Sequence, residues 1–168
     1  MFEGRVVSLR VDEVILTPGG RRARREVVEH PGAVGVVPVT AEGEVVLVRQ
    51  YRYSVGEPLL EIPAGTIEPG EDPDDTVSRE LAEETGYVAG ETRRLASLYS
   101  SPGFCNEVIH IYLALVDPRP AELPAPDADE HLEVVMMPLD DAVALARSGG
   151  FKDAKSTVGI LLAAPLLG

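Results

Sequence analysis

The sequence predicts an α/β (α+β) fold: a mixed sheet covered by helices and preceded by an antiparallel β-hairpin region. The order of the elements is the first sign. Short β-branched runs lead to one strongly capped helix, more such runs follow it, and two helical segments close the chain. Size is the second: 168 residues with 45% hydrophobic content suit one domain, whose core can bury about two thirds of the unfolded surface. Third, no segment repeats and no linker divides the chain. Residues 1–168 therefore read as a single domain, with 1–31 as the hairpin region and 32–168 as the body.

Val7, Leu9 and Val11 alternate with Ser8, Arg10 and Asp12, the period of a half-buried strand. Thr17-Pro18-Gly19-Gly20 is a turn, and Arg22 to Glu29 returns as a second strand. Arg21, Arg22, Arg24 and Arg25 make this hairpin basic in an otherwise acidic protein. Two readings stand for these arginines: charge protecting a strand edge, or a hand that reaches an anionic ligand or a second subunit. Ala33 to Val39 and Glu44 to Arg49 form a hairpin around Gly43, and Leu59 to Ile62 is a short apolar run. Leu95 to Tyr99 and Val108 to Val116 read as strands, and Leu132 to Met137 as a strand that Pro138 ends. Asp117 to Asp129, rich in proline and acid, predicts an exposed loop. Leu139 to Ala146 and Ala154 to Leu162 have helical spacing, with Asp153 placed to cap the second.

A net charge of −13 argues against binding to a nucleic-acid backbone. It does not exclude a small anionic substrate, because a bound metal reverses the local potential. Cys105 stands alone, so neither an internal disulfide nor a thiolate zinc site can form. The longest apolar stretch, Gly159 to Gly168, is too short to span a bilayer, and the first residues lack a signal pattern. The expectation is a soluble, cytoplasmic protein without a membrane partner.

The run from Gly65 to Tyr87 carries the chemistry. Asp72 can cap a helix over Pro73 to Thr85, proline suits its first position, and Gly86 can end it in the left-handed conformation. Val77, Leu81 and the later Val88 are spaced to put apolar groups on one side. Glu80 and Glu84, four apart, project from adjacent turns of one face, with Glu83 flanking them and Arg79 able to pair with Glu83. Taken alone, this could be a solvated acidic face. As ligands, the oxygens prefer magnesium or manganese to zinc. Met136 and Met137 read as core or interface filling, and His30, His110 and His131 lack partners at ligand spacing.

The full spacing is G-x5-E-x7-R-E-U-x-E-E-x-G-U, with U a bulky apolar or aromatic residue. Gly65, Glu71, Arg79, Glu80, Leu81, Glu83, Glu84, Gly86 and Tyr87 fill it without departure. It resembles the signature of the Nudix hydrolases, and the order of strands and helices resembles that family's α/β/α sandwich. Pro102, sixteen residues beyond Gly86, resembles the ADP-ribose pyrophosphatase branch. So do the stretches 29–33, 49–52, 60–65 and 152–155.

The resemblance implies metal-assisted hydrolysis of ADP-ribose, or of other ADP-sugars, to AMP and ribose 5-phosphate, with about two to three Mg2+ (or Mn2+) ions per active site. It implies metal ligands at Glu80, Glu84 and the Ala64 carbonyl, with Glu83 as a further one. Arg79 is implied to steer a carboxylate, and Arg52 and Glu61 to face the substrate together with Pro102 and Gly103. The general base is expected at Glu130, ahead of Glu133 and Asp129. A homodimer is implied too, in which Arg25 and Glu26 of one subunit reach the other's adenosine site. Alternatives are a Nudix enzyme for another nucleoside diphosphate derivative and a non-catalytic nucleotide-sugar sensor.

Overall fold

In the computed structural model, residues 1–117 and 132–168 are described, and their strands fall into two sheets. The first contains β1 (Phe2–Glu3), β2 (Ser8–Leu16) and β3 (Arg21–Glu29), all antiparallel. β2 and β3 pair in unbroken register from Ser8↔Glu29 to Leu16↔Arg21. Gly19 and Gly20 turn the chain between them at φ 110° and 66°, where a side chain would be strained. Arg10 ties the strands together by pairing with Glu29 at 3.0 Å, while Arg21, Arg22, Arg24 and Arg25 are exposed.

The second sheet holds β4 (Ala33–Thr40), β5 (Glu44–Arg52), β6 (Glu57–Glu61), β7 (Ala64–Thr66), β8 (Ala89–Tyr99), β9 (Val108–Val116) and β10 (Leu132–Pro138). The order β10-β5-β4-β9-β8 runs across it, with β6 on β5 and β7 on β4. The β4 and β9 strands are parallel and the other pairs antiparallel, which makes the sheet mixed, as expected. Helix α1 (Pro73–Thr85) covers one face; α2 (Leu139–Arg147) and α3 (Ala154–Ala163) cover the other.

Strand β4 explains the layering. Val34 and Val36 face α1 with Val46, Val77, Leu81 and Tyr112, whereas Val37 and Val39 face the other helices with Leu47, Ile62 and Ile160. A strand covered on both faces reads as a continuous apolar run, and this one does. Each such side chain removed from water is worth about 1.5–3 kcal/mol, so the sandwich is held chiefly by this double layer. Gly159 brings α3 close: a Cβ there would meet Val37 Cγ2 at 3.0 Å.

Several expectations are corrected. Val88 does not continue the apolar side of α1; it is 62% exposed, and Tyr87 is buried instead. Gly86, at φ 73°, reverses the chain before Val88, so helical spacing no longer applies there. β8 begins at Ala89 rather than Leu95, because its first half (Gly90 to Arg94) is exposed and polar and leaves no hydrophobic trace. β5 runs on to Arg52, and β1 and β7 were not anticipated, since two or three residues are too few to show a period. The predicted loop from Asp117 to Asp129 lies, after its first residue, outside the described residues, as do Glu130 and His131. Among the described residues no helix is long and apolar enough to cross a membrane.

Candidate active site

Helix α1 forms where local chemistry dictates. Asp72 sits at φ −80°, ψ 138°, and its carboxylate accepts from Asp74 N at 2.9 Å; Pro73 follows, and Gly86 N donates to Ala82 O at 2.9 Å. Its first turn is also tied to the sheet. Tyr112 Oη donates to Asp74 Oδ1 at 2.5 Å, and Arg94 Nη2 reaches the same oxygen at 2.8 Å. These bonds hold the Asp74 carboxyl below its ordinary range. Burial, with the Asp74 bond behind it, pushes the Tyr112 phenol up to about 12.

Glu84 lies on the buried side of α1, three residues beyond Leu81, and is only 9% exposed. Its Oε2 accepts from Ala64 N at 2.9 Å, which brings the helix against the start of β7. Glu80 occupies the space beside Gly65, where a Cβ would fall 1.9 Å from the Glu80 carboxyl carbon. The first glycine of the spacing is therefore a seat for the carboxylate eight turn-and-helix residues after Asp72. The turn that presents Ala64 is itself gripped, with Val36 N bonded to Pro63 O at 2.9 Å and Ile62 N to Ser156 Oγ at 2.8 Å.

Arg79 gathers the remaining acids. Its Nε and Nη2 meet the two oxygens of Glu71, each at 3.0 Å, a fork-on-fork pair. Nη1 meets Glu80 at 2.7 Å and Glu83 at 3.0 Å, and Nη2 also reaches Thr66 O at 3.2 Å. The expected Arg79–Glu83 pair is present, but Glu71 is the two-pronged partner, which helical spacing could not indicate because Glu71 precedes the helix. Arg79 and the Glu68 backbone hold the Glu71 carboxyl down at about 2.

On the other side of Ala64, Arg52 ends β5. Its Nε and Nη2 bond the two oxygens of Glu61 at 2.8 and 2.9 Å, and Lys155 Nζ bonds Glu61 Oε2 as well. Glu61 is 2% exposed. Burial pushes its carboxyl up, yet the Arg52 and Lys155 contacts outweigh that and hold it at about 2. The Glu61 bond, reinforced by the charges of Glu84 and Asp153, raises Arg52, so this guanidinium and the α1 carboxylates share one electrostatic neighbourhood. Lys155 was not singled out as a site residue by sequence; its stretch carried the only hint.

Other predicted residues lie elsewhere. Arg25 and Glu26 are exposed on the small sheet, and among the described residues they make no bond to the α1 acids. Pro102 and Gly103 are exposed in the segment after β8. That segment is stitched to β3, with Val28 N bonded to Phe104 O at 2.7 Å, Asn106 N to Val28 O at 3.1 Å and His30 N to Asn106 Oδ1 at 2.9 Å. Glu133, on β10, is exposed and paired with Arg49 at 3.1 Å.

The donors around Ala64 suit a hard divalent cation: Glu80, Glu83, Glu84 and a backbone carbonyl are all oxygens. Among the described residues no three acidic, imidazole or thiol groups converge at ligand spacing, and Arg79 bonds Glu71, Glu80 and Glu83. The donor chemistry fits such an ion, with the Gly65 seat for Glu80 as the supporting feature.

Comparison with known proteins adds the family. The NUDIX domain model matches residues 29–157. An ADP-ribose pyrophosphatase of Bacillus subtilis is 42% identical over 160 residues, covering 95% of this chain and 86% of that protein. A methanol dehydrogenase activator of Bacillus methanolicus is 41% identical with the same coverage. A GDP-mannose pyrophosphatase of Citrobacter koseri is 33% identical over 82% of this chain and 75% of its own length.

Proposed function

The chain belongs to the Nudix family, and from that membership we propose that it is a metal-dependent pyrophosphatase that hydrolyses ADP-ribose to AMP and ribose 5-phosphate. The observation that carries this reading is the joining of two half-sites at the Ala64 turn. On one side Glu84 and Glu80 are seated against Ala64 and Gly65; on the other Arg52 is aimed by a buried Glu61.

Water adds to one phosphorus of the diphosphate, and the bridging P–O bond breaks. Divalent ions, magnesium first and manganese in its place, about two to three in number, would supply charge neutralisation and water activation when bound. Glu80, Glu84, the Ala64 carbonyl and Glu83 would hold them. Arg79 keeps Glu80 and Glu83 on one side of the helix by bonding both. Arg52 has Nε and Nη2 committed to Glu61, which leaves Nη1 as the edge that meets a phosphate oxygen. We assign removal of the water proton to Glu130, ahead of Glu133 and Asp129.

A cytoplasmic homodimer completes the proposal. Leu9, Val11 and Ile15 of β2 are exposed at alternate positions, and Phe2 of β1 is exposed beside them. An apolar strand face open to water supports burial against a second copy, which would also bring Arg25 and Glu26 to a neighbouring site. Hydrolysis of another nucleotide sugar is the second reading, favoured by the GDP-mannose pyrophosphatase likeness. A magnesium-supplemented panel of ADP-ribose, other ADP-sugars and GDP-mannose separates the two: faster turnover of GDP-mannose with no AMP from ADP-ribose rejects the first. Glu84→Gln should lower turnover by about a hundredfold or more with the fold retained; unchanged turnover would remove Glu84 from the metal set.

A further inference from the structure

The stretch Lys152 to Lys155 has no part in the mechanism above, yet it touches the substrate side of the site at several points. Asp153 caps α3 by accepting from Lys155 N at 3.2 Å and Ser156 N at 3.0 Å, and Ser156 Oγ bonds the same carboxylate. Ser156 Oγ in turn accepts from Ile62 N. Lys155 Nζ pairs with Asp153 at 3.2 Å and with the buried Glu61. The Lys152 Nζ to Glu57 Oε2 distance is 2.6 Å. The start of α3 thus grips β6 and the turn after it, across 94 residues of sequence.

The geometry points to Lys155 as a positioning residue for substrate binding: by fixing Glu61 it sets the direction of the Arg52 guanidinium. The charges run Arg52, Glu61, Lys155, Asp153 in alternation, with Asp153 anchored to a helix terminus. Arg52 terminates a strand and is over a third exposed, so its long side chain has little packing to aim it. Its direction comes from the fork on Glu61, and a carboxylate is a fixed fork only if it cannot turn. Lys155, 12% exposed, bonds the Oε2 that also receives Arg52 Nη2 and so prevents that turn. Among the described residues Arg52 Nη1 makes no hydrogen bond, and it is this edge whose direction Lys155 governs.

This inference rests on the reading of Arg52 as a phosphate-binding residue in ADP-ribose hydrolysis. Steady-state kinetics with ADP-ribose and saturating magnesium are measured for the wild type, Lys155→Met, Lys155→Arg, Glu61→Gln and the Lys155→Met/Glu61→Gln double variant. Lys155→Met should raise KM about tenfold, the scale of one charge-assisted hydrogen bond, with kcat changed less than about threefold. Lys155→Arg should restore most of the KM. In the Glu61→Gln background, Lys155→Met should add less than about twofold, because its route of action is already cut. Should Lys155→Met not fold, Lys155→Gln gives the same readout. A lower Tm with unchanged KM, or KM effects that multiply in the double variant, overturns the inference while leaving the substrate reading intact. A wild type that releases no AMP from ADP-ribose sinks the substrate reading and this inference with it.

Discussion

Gly65→Ala separates a glycine kept for backbone freedom from one kept for the space over its Cα. Gly65 does not adopt a positive φ, so alanine meets no backbone strain there. In a strand the exchange even removes some freedom from the unfolded chain, worth about 0.4–1 kcal/mol in favour of folding. The new methyl, however, would lie 1.9, 2.0 and 2.2 Å from the carboxyl carbon and two oxygens of Glu80. Only the end of a flexible side chain has to give way, so Glu80 swings out and loses its 2.7 Å contact with Arg79. A partly exposed ion pair of that kind contributes about 0–1 kcal/mol. The two terms nearly cancel. Stability should stay within about 1 kcal/mol, a Tm change of about 2–4 °C at this chain length. On the proposed assignment of Glu80 as a metal ligand there is no such compensation in metal binding, and displacing it should weaken apparent metal affinity about 10–100-fold. Thermal melts without added metal, paired with magnesium titrations of AMP release from ADP-ribose, read the two effects separately. A Tm loss beyond about 8 °C with an unchanged magnesium response would refute the assignment of Gly65 as the Glu80 seat.

Two further outcomes follow from the charge and hydrogen-bond pattern. Glu61 is held at about 2 against an ordinary 4.5, so its contribution to folding is fully present above the unfolded value and is lost as pH falls from about 4.5 towards 2. Melts between pH 6 and pH 3 should show Tm falling on the acid side, and Glu61→Gln should flatten that limb; an equally steep limb in the variant would clear Glu61 of it. Tyr112→Phe removes the Oη that bonds Asp74 and accepts from Arg94 Nε at 2.7 Å. It should cost about 0.5–1.5 kcal/mol in chemical denaturation with ADP-ribose turnover kept. A large loss of turnover would mean the Asp74 tie does more than anchor α1.

What could be read in advance depended on how far apart in sequence the interacting groups lie. The α1 helix was legible because Asp72, Pro73 and Gly86 act within a turn of each end, and the Arg79–Glu83 pair because four residues is one helical step. The helix-covered mixed sheet was legible from the order of strand-like and helical segments along the chain. Hidden were the relations that the fold creates. Glu61 and Lys155 meet across 94 residues, and Gly65 answers to the carboxylate of Glu80, a clash no composition records. Val88 was misplaced because period alone cannot see that Gly86 has already turned the chain. The polar half of β8 escaped because an exposed strand is held by backbone bonds to β9, which leave no mark on side-chain hydropathy.

The two arginines of the candidate site show how those hidden relations bear on the proposed function. Arg79 is shared among Glu71, Glu80 and Glu83, so acid outnumbers base around it, and Glu84 adds to the excess nearby. On the proposed assignment that lobe holds the cations. Among the described residues Arg52 is hydrogen-bonded to one carboxylate, Glu61, and that carboxylate is shared with a second cation, Lys155. Among the described residues its Nη1 makes no hydrogen bond, and on the proposed assignment this edge receives an anion directly. The Ala64 turn stands between them, bonded to Glu84 on one side and continuous with Glu61 on the other. On the proposed assignment a diphosphate uses both lobes: oxygens that would reach the acids through a cation, and an oxygen that an arginine would meet unaided. Adding one carboxylate beside Arg52, or removing Lys155, would make the second lobe resemble the first. On the proposed assignment the site should then keep its affinity for metal while binding the substrate more weakly.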